Sequence, residues 1–233
     1  MSVTIENIAP YIGQSVLDIY GRKVGVLVSV YSDVEGNVSA IEVMINDTTY
    51  ETIPGERLVK DVDGLKIMPE WLVNVKKLER RLDILKKRIK ATEELYKKGQ
   101  IPVHAYQELK ERFSKEVEKV RSEVNSVRDA LRKRLYEIEN FVVHIEKAMT
   151  HLMVSYTAGE IAESGFKISA DFMRFARQAA LDEKKDIDKH MAMLEKLEQE
   201  LQAVLSSSEE AKVAETTPIA STAQQPIAVK VVS

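Results

Sequence analysis

The sequence predicts an α+β protein: a small N-terminal β domain, then long helical coiled-coil hairpins, then a disordered tail. Three observations carry this reading. Residues 1–69 hold six of the nine glycines and alternate β-branched with polar residues. Residues 70–205 place apolar side chains at steps of three and four. Residues 206–225 turn to Ser, Glu, Thr, Ala, Pro and Gln, a composition that cannot bury enough apolar surface to fold.

In the first stretch, Ser15–Tyr20 is a short strand candidate and Val24–Tyr31 is a valine-rich run. Asp33-Val-Glu-Gly36-Asn37 reads as a turn, with Gly36 or Asn37 able to take positive φ. Val38–Ile45 alternates at Ile41, Val43 and Ile45, and Thr48–Ile53 is a fourth candidate. Arg57–Lys60 and Leu65–Met68 flank the turn Asp61-Val-Asp-Gly64. Short strands at this spacing, without a helix-period segment, indicate a small β-barrel or rolled sheet. Closure would remove the exposed edges.

The second stretch opens at Pro69, placed where a first helical turn tolerates proline. Val75, Leu78, Leu82, Leu85 and Ile89 form a coiled-coil seam. A longer seam runs from Leu109 to Leu152 through Val120, Val124, Val127 and Leu131, with two stutters that locally unwind a left-handed supercoil. These residues are the candidate assembly seam. A third amphipathic stretch, about Phe166 to Leu205, includes Phe172, Ile187, Met191, Leu194 and Leu201. Its neighbour, a helix of about 55 residues and roughly 80 Å, implies a partner, taken to be another copy of the chain.

Two joints share one pattern. Tyr96-Lys-Lys-Gly99-Gln-Ile101 precedes Tyr106, and Tyr156-Thr-Ala-Gly159-Glu-Ile161 precedes Phe166. Glycine just past a helix end is a C-cap signal. Turns near 99–102 and 158–165 therefore divide the region into three helices. The alternative is one long rod with two soft spots.

The chain finishes on Pro226-Ile-Ala-Val-Lys-Val-Val-Ser233. Ile227, Val229 and Val231 fall on one face of an extended strand, and Ala228, Lys230 and Val232 on the other. Pro226 through Val232 thus have the form of a peptide that adds to a sheet edge of a partner. The linker before it, about 20 residues, spans roughly 25 Å root-mean-square, so the peptide can search away from the rod.

Composition excludes several chemistries. No cysteine occurs, which removes disulfides, thiol nucleophiles and cysteine-ligated metals. No apolar run approaches the ~20 residues of a membrane span, and Met1-Ser-Val-Thr-Ile-Glu-Asn7 lacks the regions of a signal peptide. No nucleotide-binding or nucleophile-elbow glycine motif is present. His144 and His151 sit seven apart, not the four of a helical zinc motif, and His104 and His190 stand alone. Asp61-Val-Asp63-Gly64 lacks the remaining ligands of a calcium loop. The expectation is a non-enzyme without catalytic residue, metal or cofactor. Trp71, the sole tryptophan, is placed to plug the joint between sheet and helix.

The formal net charge of −3 conceals a segregated pattern. Residues 1–70 carry five basic and eleven acidic side chains, and residues 71–140 carry nineteen basic and twelve acidic ones. Lys76, Lys77, Arg80, Arg81, Lys86, Lys87, Arg88 and Lys90 are opposed only by Glu79 and Asp83. They flank the seam and form a candidate surface for DNA phosphates or an anionic membrane. The bland reading is a solvated helical face, or docking onto the acidic head of a neighbour.

Ile12-Gly-Gln-Ser-Val-Leu-Asp18, followed by Gly21-Arg-Lys-Val-Gly25 and Ile53-Pro54…Leu58, resembles a PRC-barrel domain. A PRC-barrel-like head, a long coiled coil and a C-terminal strand peptide together resemble the CdvA family of crenarchaeal cell-division proteins. The resemblance implies a non-enzymatic scaffold, cytoplasmic, at mid-cell on the inner membrane face, assembling with itself into filaments. It implies that residues 226–232 recruit the ESCRT-III homologue CdvB through its winged-helix domain. Association with DNA and with membrane is also implied. Two alternatives stand beside it: an architectural DNA-binding filament, and a PRC-barrel factor of RNA processing or ribosome assembly. The acidic head argues against direct RNA contact.

Overall fold

The computed structural model describes residues 4–61 and 64–215, with side chains described as far as 206. A short helix α1 (Ile5–Ile8) precedes six strands: β1 (Ser15–Asp18), β2 (Lys23–Ser32), β3 (Val38–Asn46), β4 (Thr49–Pro54), β5 (Leu58–Asp61) and β6 (Gly64–Ile67). Three long helices follow: α2 (Glu70–Lys97), α3 (Val103–Thr157) and α4 (Glu163–Glu215).

The strands form one sheet in the order β4-β3-β2-β1-β6-β5. All pairs are antiparallel except β1 with β6. The ladder is not closed between β4 and β5 among the described residues. It is nevertheless rolled. Laid flat, the edge strands of six would lie about 24 Å apart, yet Ile53 on β4 and Leu58 on β5 share one core with Leu27, Ile41 and Ile67. The 3-10 turn Gly55–Arg57 spans the gap. Register shifts in β1, β2 and β3 mark the bulges that bend the strands. Gly25 makes the roll tight, since a Cβ there would stand 2.4 Å from the Met44 carbonyl oxygen. α1, which the sequence reading did not anticipate, inserts Ile8 into this core with no exposure. In the turn before β3, Gly36 takes the positive φ, 81°.

Pro69 does not sit inside α2. It is the capping residue, and its carbonyl accepts the Leu72 N–H at 3.1 Å. Its fixed φ suits the extended conformation of a cap as well as it suits a first turn.

The region is three helices, not a continuous rod. At the first joint, Gly99 N–H bonds the Tyr96 carbonyl and Gln100 N–H bonds that of Leu95. At the second, Gly159 bonds Tyr156 and Glu160 bonds Ser155. This paired pattern is the Schellman motif, and it needs φ of +68° at Gly99 and +75° at Gly159. The repeated aromatics then clamp each turn. Tyr96 stacks on Tyr106 at 4.1 Å between centroids, and Tyr156 on Phe166 at 4.3 Å.

The apolar seams pack within the chain. Val75, Leu78, Leu82, Leu85 and Ile89 of α2, Val120, Val124 and Leu131 of α3, and Ile187, Leu194 and Leu201 of α4 are buried in one cluster, with Val127 at its margin. The candidate assembly seam is therefore the core of an intramolecular three-helix bundle. Sequence spacing marks a seam but not whose helix fills it. Phe172, expected among the apolar positions of the amphipathic α4, is instead 71% exposed. The last helix also runs further than composition indicated: α4 reaches Glu215, ten residues into the stretch read as linker. Elongating an established helix costs far less than nucleating one, and Glu, Ala and Lys there tolerate it.

Candidate functional site

The sheet and the bundle keep separate apolar cores. A buried polar cluster joins them. Its centre is Glu183 on α4, whose side chain is 1% exposed. Its carboxylate accepts Arg22 Nη1 at 2.7 Å, Arg134 Nε at 2.8 Å, Arg134 Nη2 at 3.0 Å and Trp71 Nε1 at 3.1 Å. One carboxylate thus collects donors from the sheet, α2 and α3.

Local chemistry prepares each donor. Asp18 ends β1, and its Oδ1 accepts the backbone N–H groups of Tyr20 and Arg22. Gly21 supplies the positive φ this turn requires, 82°. The second Asp18 oxygen holds Arg22 Nε at 2.6 Å, aiming the guanidinium at Glu183. The Tyr20 hydroxyl donates to Asp186 on α4. The sequence motif Asp18-x-x-Gly21 is therefore a pedestal for an arginine. Trp71 plugs the joint, as its position predicted, and packs edge-on to His190 at 6.1 Å. His190 Nδ1 in turn lies 2.7 Å from Glu79.

Burial alone would raise the Glu183 pKa. The bonds from Arg134 and the charge of Arg22 outweigh it and hold the carboxyl below its usual value. The same pairing raises Arg134 further above its ordinary range, with Glu183 as the first cause. Burial and the Asp186 and Glu183 charges push the Tyr20 phenol up.

Sequence reading missed Glu183, Arg22 and Arg134. The available signal was register. Ala180, Ile187, Leu194 and Leu201 repeat at seven, and Glu183 occupies the interleaved core position. A charge at a core position calls for partners.

The eight candidate basic residues of α2 divide into two groups. Lys77 pairs with Glu56 of the sheet domain, Arg81 with Glu116 and Glu123 of α3, Lys86 with Glu200 of α4 and with Asp83, and Lys87 with Asp83. Lys76, Arg80, Arg88 and Lys90 are exposed and carry no ion pair among the described residues. At about 100° per residue, Lys76, Arg80, Lys87 and Lys90 share a solvent-facing strip opposite Leu78, Leu82 and Leu85. The strand-forming peptide Pro226–Val232 lies outside the described residues. His104, His144 and His151 are exposed. No cluster of metal-ligating side chains occurs among the described residues, and no described helix is long and apolar enough to cross a membrane.

A rolled sheet pinned by a polar cluster to a three-helix bundle, with an exposed basic strip on the bundle's first helix, defines a sheet-headed coiled-coil protein. A family model, the CdvA-like coiled-coil domain, matches residues 70–217. Cell division protein A of Sulfolobus acidocaldarius is 33% identical over 201 residues, covering 86% of this chain and 84% of that protein. The chain belongs to the CdvA family of cell-division proteins. No solved structure matches it.

Proposed function

We propose that this chain is a non-enzymatic cell-division scaffold that assembles with itself and recruits a partner through its tail. The carrying observation is the family match, whose similarity to Cell division protein A spans both the sheet head and the helices. The partner is an ESCRT-III homologue of the CdvB type, engaged at its winged-helix domain by Pro226–Val232 through strand addition. The alternation of Ile227, Val229 and Val231 with Ala228, Lys230 and Val232 supports this mode. The place of action is the cytoplasmic face of the membrane at mid-cell. Deleting residues 226–233 is expected to abolish calorimetric binding of the winged-helix domain while leaving sedimentation of the scaffold unchanged. Unchanged affinity would end this assignment.

A second reading, compatible with the first, is contact with DNA or an anionic membrane surface. The exposed strip of α2 favours it, since Lys76, Arg80 and Lys90 on it, and Arg88 beside it, have no ion pair among the described residues. Reversing Lys76, Arg80, Arg88 and Lys90 to glutamate is expected to remove salt-sensitive DNA binding. Each lost phosphate contact should lower the slope of log affinity against log salt by about 0.9. Lys77, Arg81 and Lys86 are poor choices for this test, because their reversal would also break ion pairs to the sheet, α3 and α4. An unchanged slope would place any polyanion site elsewhere.

A further inference from the structure

We propose that the far end of the α3–α4 hairpin is the surface through which two copies of this chain associate, side by side and antiparallel, as a four-helix contact. The proposal rests on the self-assembly reading above and gives that assembly a surface.

The argument begins with helix lengths. α2 has 28 residues, α3 has 55 and α4 has 53. α2 starts level with Arg134 and Glu183, where Trp71 meets Glu183, and runs toward the Gly99 turn. Among the described residues, the hairpin beyond that level has no third helix. The sheet accompanies it only as far as Phe175, whose ring edge lies 3.3 Å from where a Cβ on Gly21 would stand. Past Phe175, among the described residues, the two helices run alone.

Two helices have one mutual seam, and here it holds Ile145 and Ala170. The lines that α2 and the sheet cover lower down continue into this region and stay apolar. On α3, Phe141 follows Arg134 by one heptad and is 43% exposed just below this region, between the Glu139–Lys184 and Glu146–Arg177 pairs. On α4, Phe172 precedes the buried Ala179 by one heptad and Asp186, the acceptor of the Tyr20 hydroxyl, by two. Phe172 and its neighbour Ile168 are 71% and 60% exposed. Ile168 and Phe172 occupy the face on which a third helix packs elsewhere in the bundle, with none there among the described residues.

Charge indicates the occupant. Residues 141–176 carry three basic and four acidic side chains. Glu163 pairs with Lys167, Asp171 with Arg174, and Glu146 with Arg177. Such a face offers no block of charge to a polyanion or to a strongly charged protein. A second copy of the same face meets no like-charge repulsion. An isologous contact needs this self-compatibility. Area sets the strength. Thirteen residues from Glu163 to Phe175 span about 20 Å, and two helices are about 20 Å wide. The projected face is roughly 400 Å² per copy, or about 800 Å² in total, half of a standard interface. The contact is therefore reversible and dependent on concentration.

The test is analytical ultracentrifugation of the full chain over a range of concentrations, for wild type, Ile168→Glu and Phe172→Glu. Both sites are exposed, so circular dichroism should report an unchanged helix content. The association constant is expected to fall at least about tenfold in either variant. The chain has no cysteine, so single variants Phe172→Cys and Arg88→Cys report proximity with a flexible bis-maleimide. Dimer from Phe172→Cys alone supports the proposal. Association unaltered by the glutamates, or cross-linking only at Arg88→Cys, overturns this surface and leaves the scaffold reading standing. A wild type that stays monomeric throughout overturns both. Loss of vesicle flotation in Phe172→Glu with association unchanged would assign the face to lipid and also overturn it.

Discussion

Replacing Glu183 with alanine is expected to destabilise the protein by about 3 kcal/mol and to loosen the sheet from the bundle. The variant leaves two guanidinium groups and an indole N–H without their shared acceptor. Removing one partner of a buried ion pair is costly because the survivors stay desolvated. Arg22 and Arg134 retain 28% and 36% side-chain exposure, so water can reach them and the loss falls at the lower end of the usual range. Trp71 is the only tryptophan and bonds directly to Glu183, so its fluorescence reads the junction itself. Urea unfolding followed by that fluorescence and by far-UV circular dichroism should coincide in wild type. In Glu183→Ala the fluorescence transition should come first. A stability within about 0.5 kcal/mol of wild type would show that the cluster contributes nothing.

The same residue predicts an acid limb. The folded Glu183 carboxyl lies below its usual 4.5. The unfolded state therefore binds more protons in this range. The contribution is complete above pH 4.5 and is lost as pH falls through the folded value. Glu183→Ala should flatten this limb of the stability profile and leave the neutral range with a constant deficit.

Truncating Leu131 to alanine is the second large effect, about 3 kcal/mol or more. Leu131 has no exposure and belongs to the cluster that all three helices share, whose packed side chains limit collapse into the cavity. Its value lies in what it distinguishes. A seam between chains gives a melting temperature that rises with protein concentration. A seam within one chain gives a shift that does not depend on concentration. The latter is expected here. Leu95, 41% exposed on α2, is the matched control, and its truncation should cost under about 0.5 kcal/mol.

Much of this architecture was legible along the chain, because its signals are local. Strand alternation between Val24 and Ile53 depends on which side of a pleat each residue faces, and that period is visible without neighbours. The two Tyr-x-x-Gly-x-Ile joints were legible for the same reason: a Schellman turn is decided within six residues. α1 was not legible, since Ile5-Glu-Asn-Ile8 is too short to show a period and is held by the sheet it covers. The extension of α4 past 205 was hidden behind composition, which reports average preference and not cooperativity from an existing helix. The candidate site divided similarly. The basic cluster on α2 could be read off directly, but ion pairing with Glu56, Glu116, Glu123 and Glu200 removed part of it, and those partners lie far away in sequence.

Sequence by itself determined the segmentation of this protein: a rolled β head, three amphipathic helices and the glycines between them. Each follows from periodicity and backbone sterics within a few residues. Only the tertiary structure decided what the segments are for. It turned the expected assembly seam into an internal core and made Glu183 the joint between head and bundle. It also left Ile168 and Phe172 exposed beyond the end of α2. The physical reason is that a heptad face specifies how much apolar surface must be covered, while chain length and turn geometry determine what covers it.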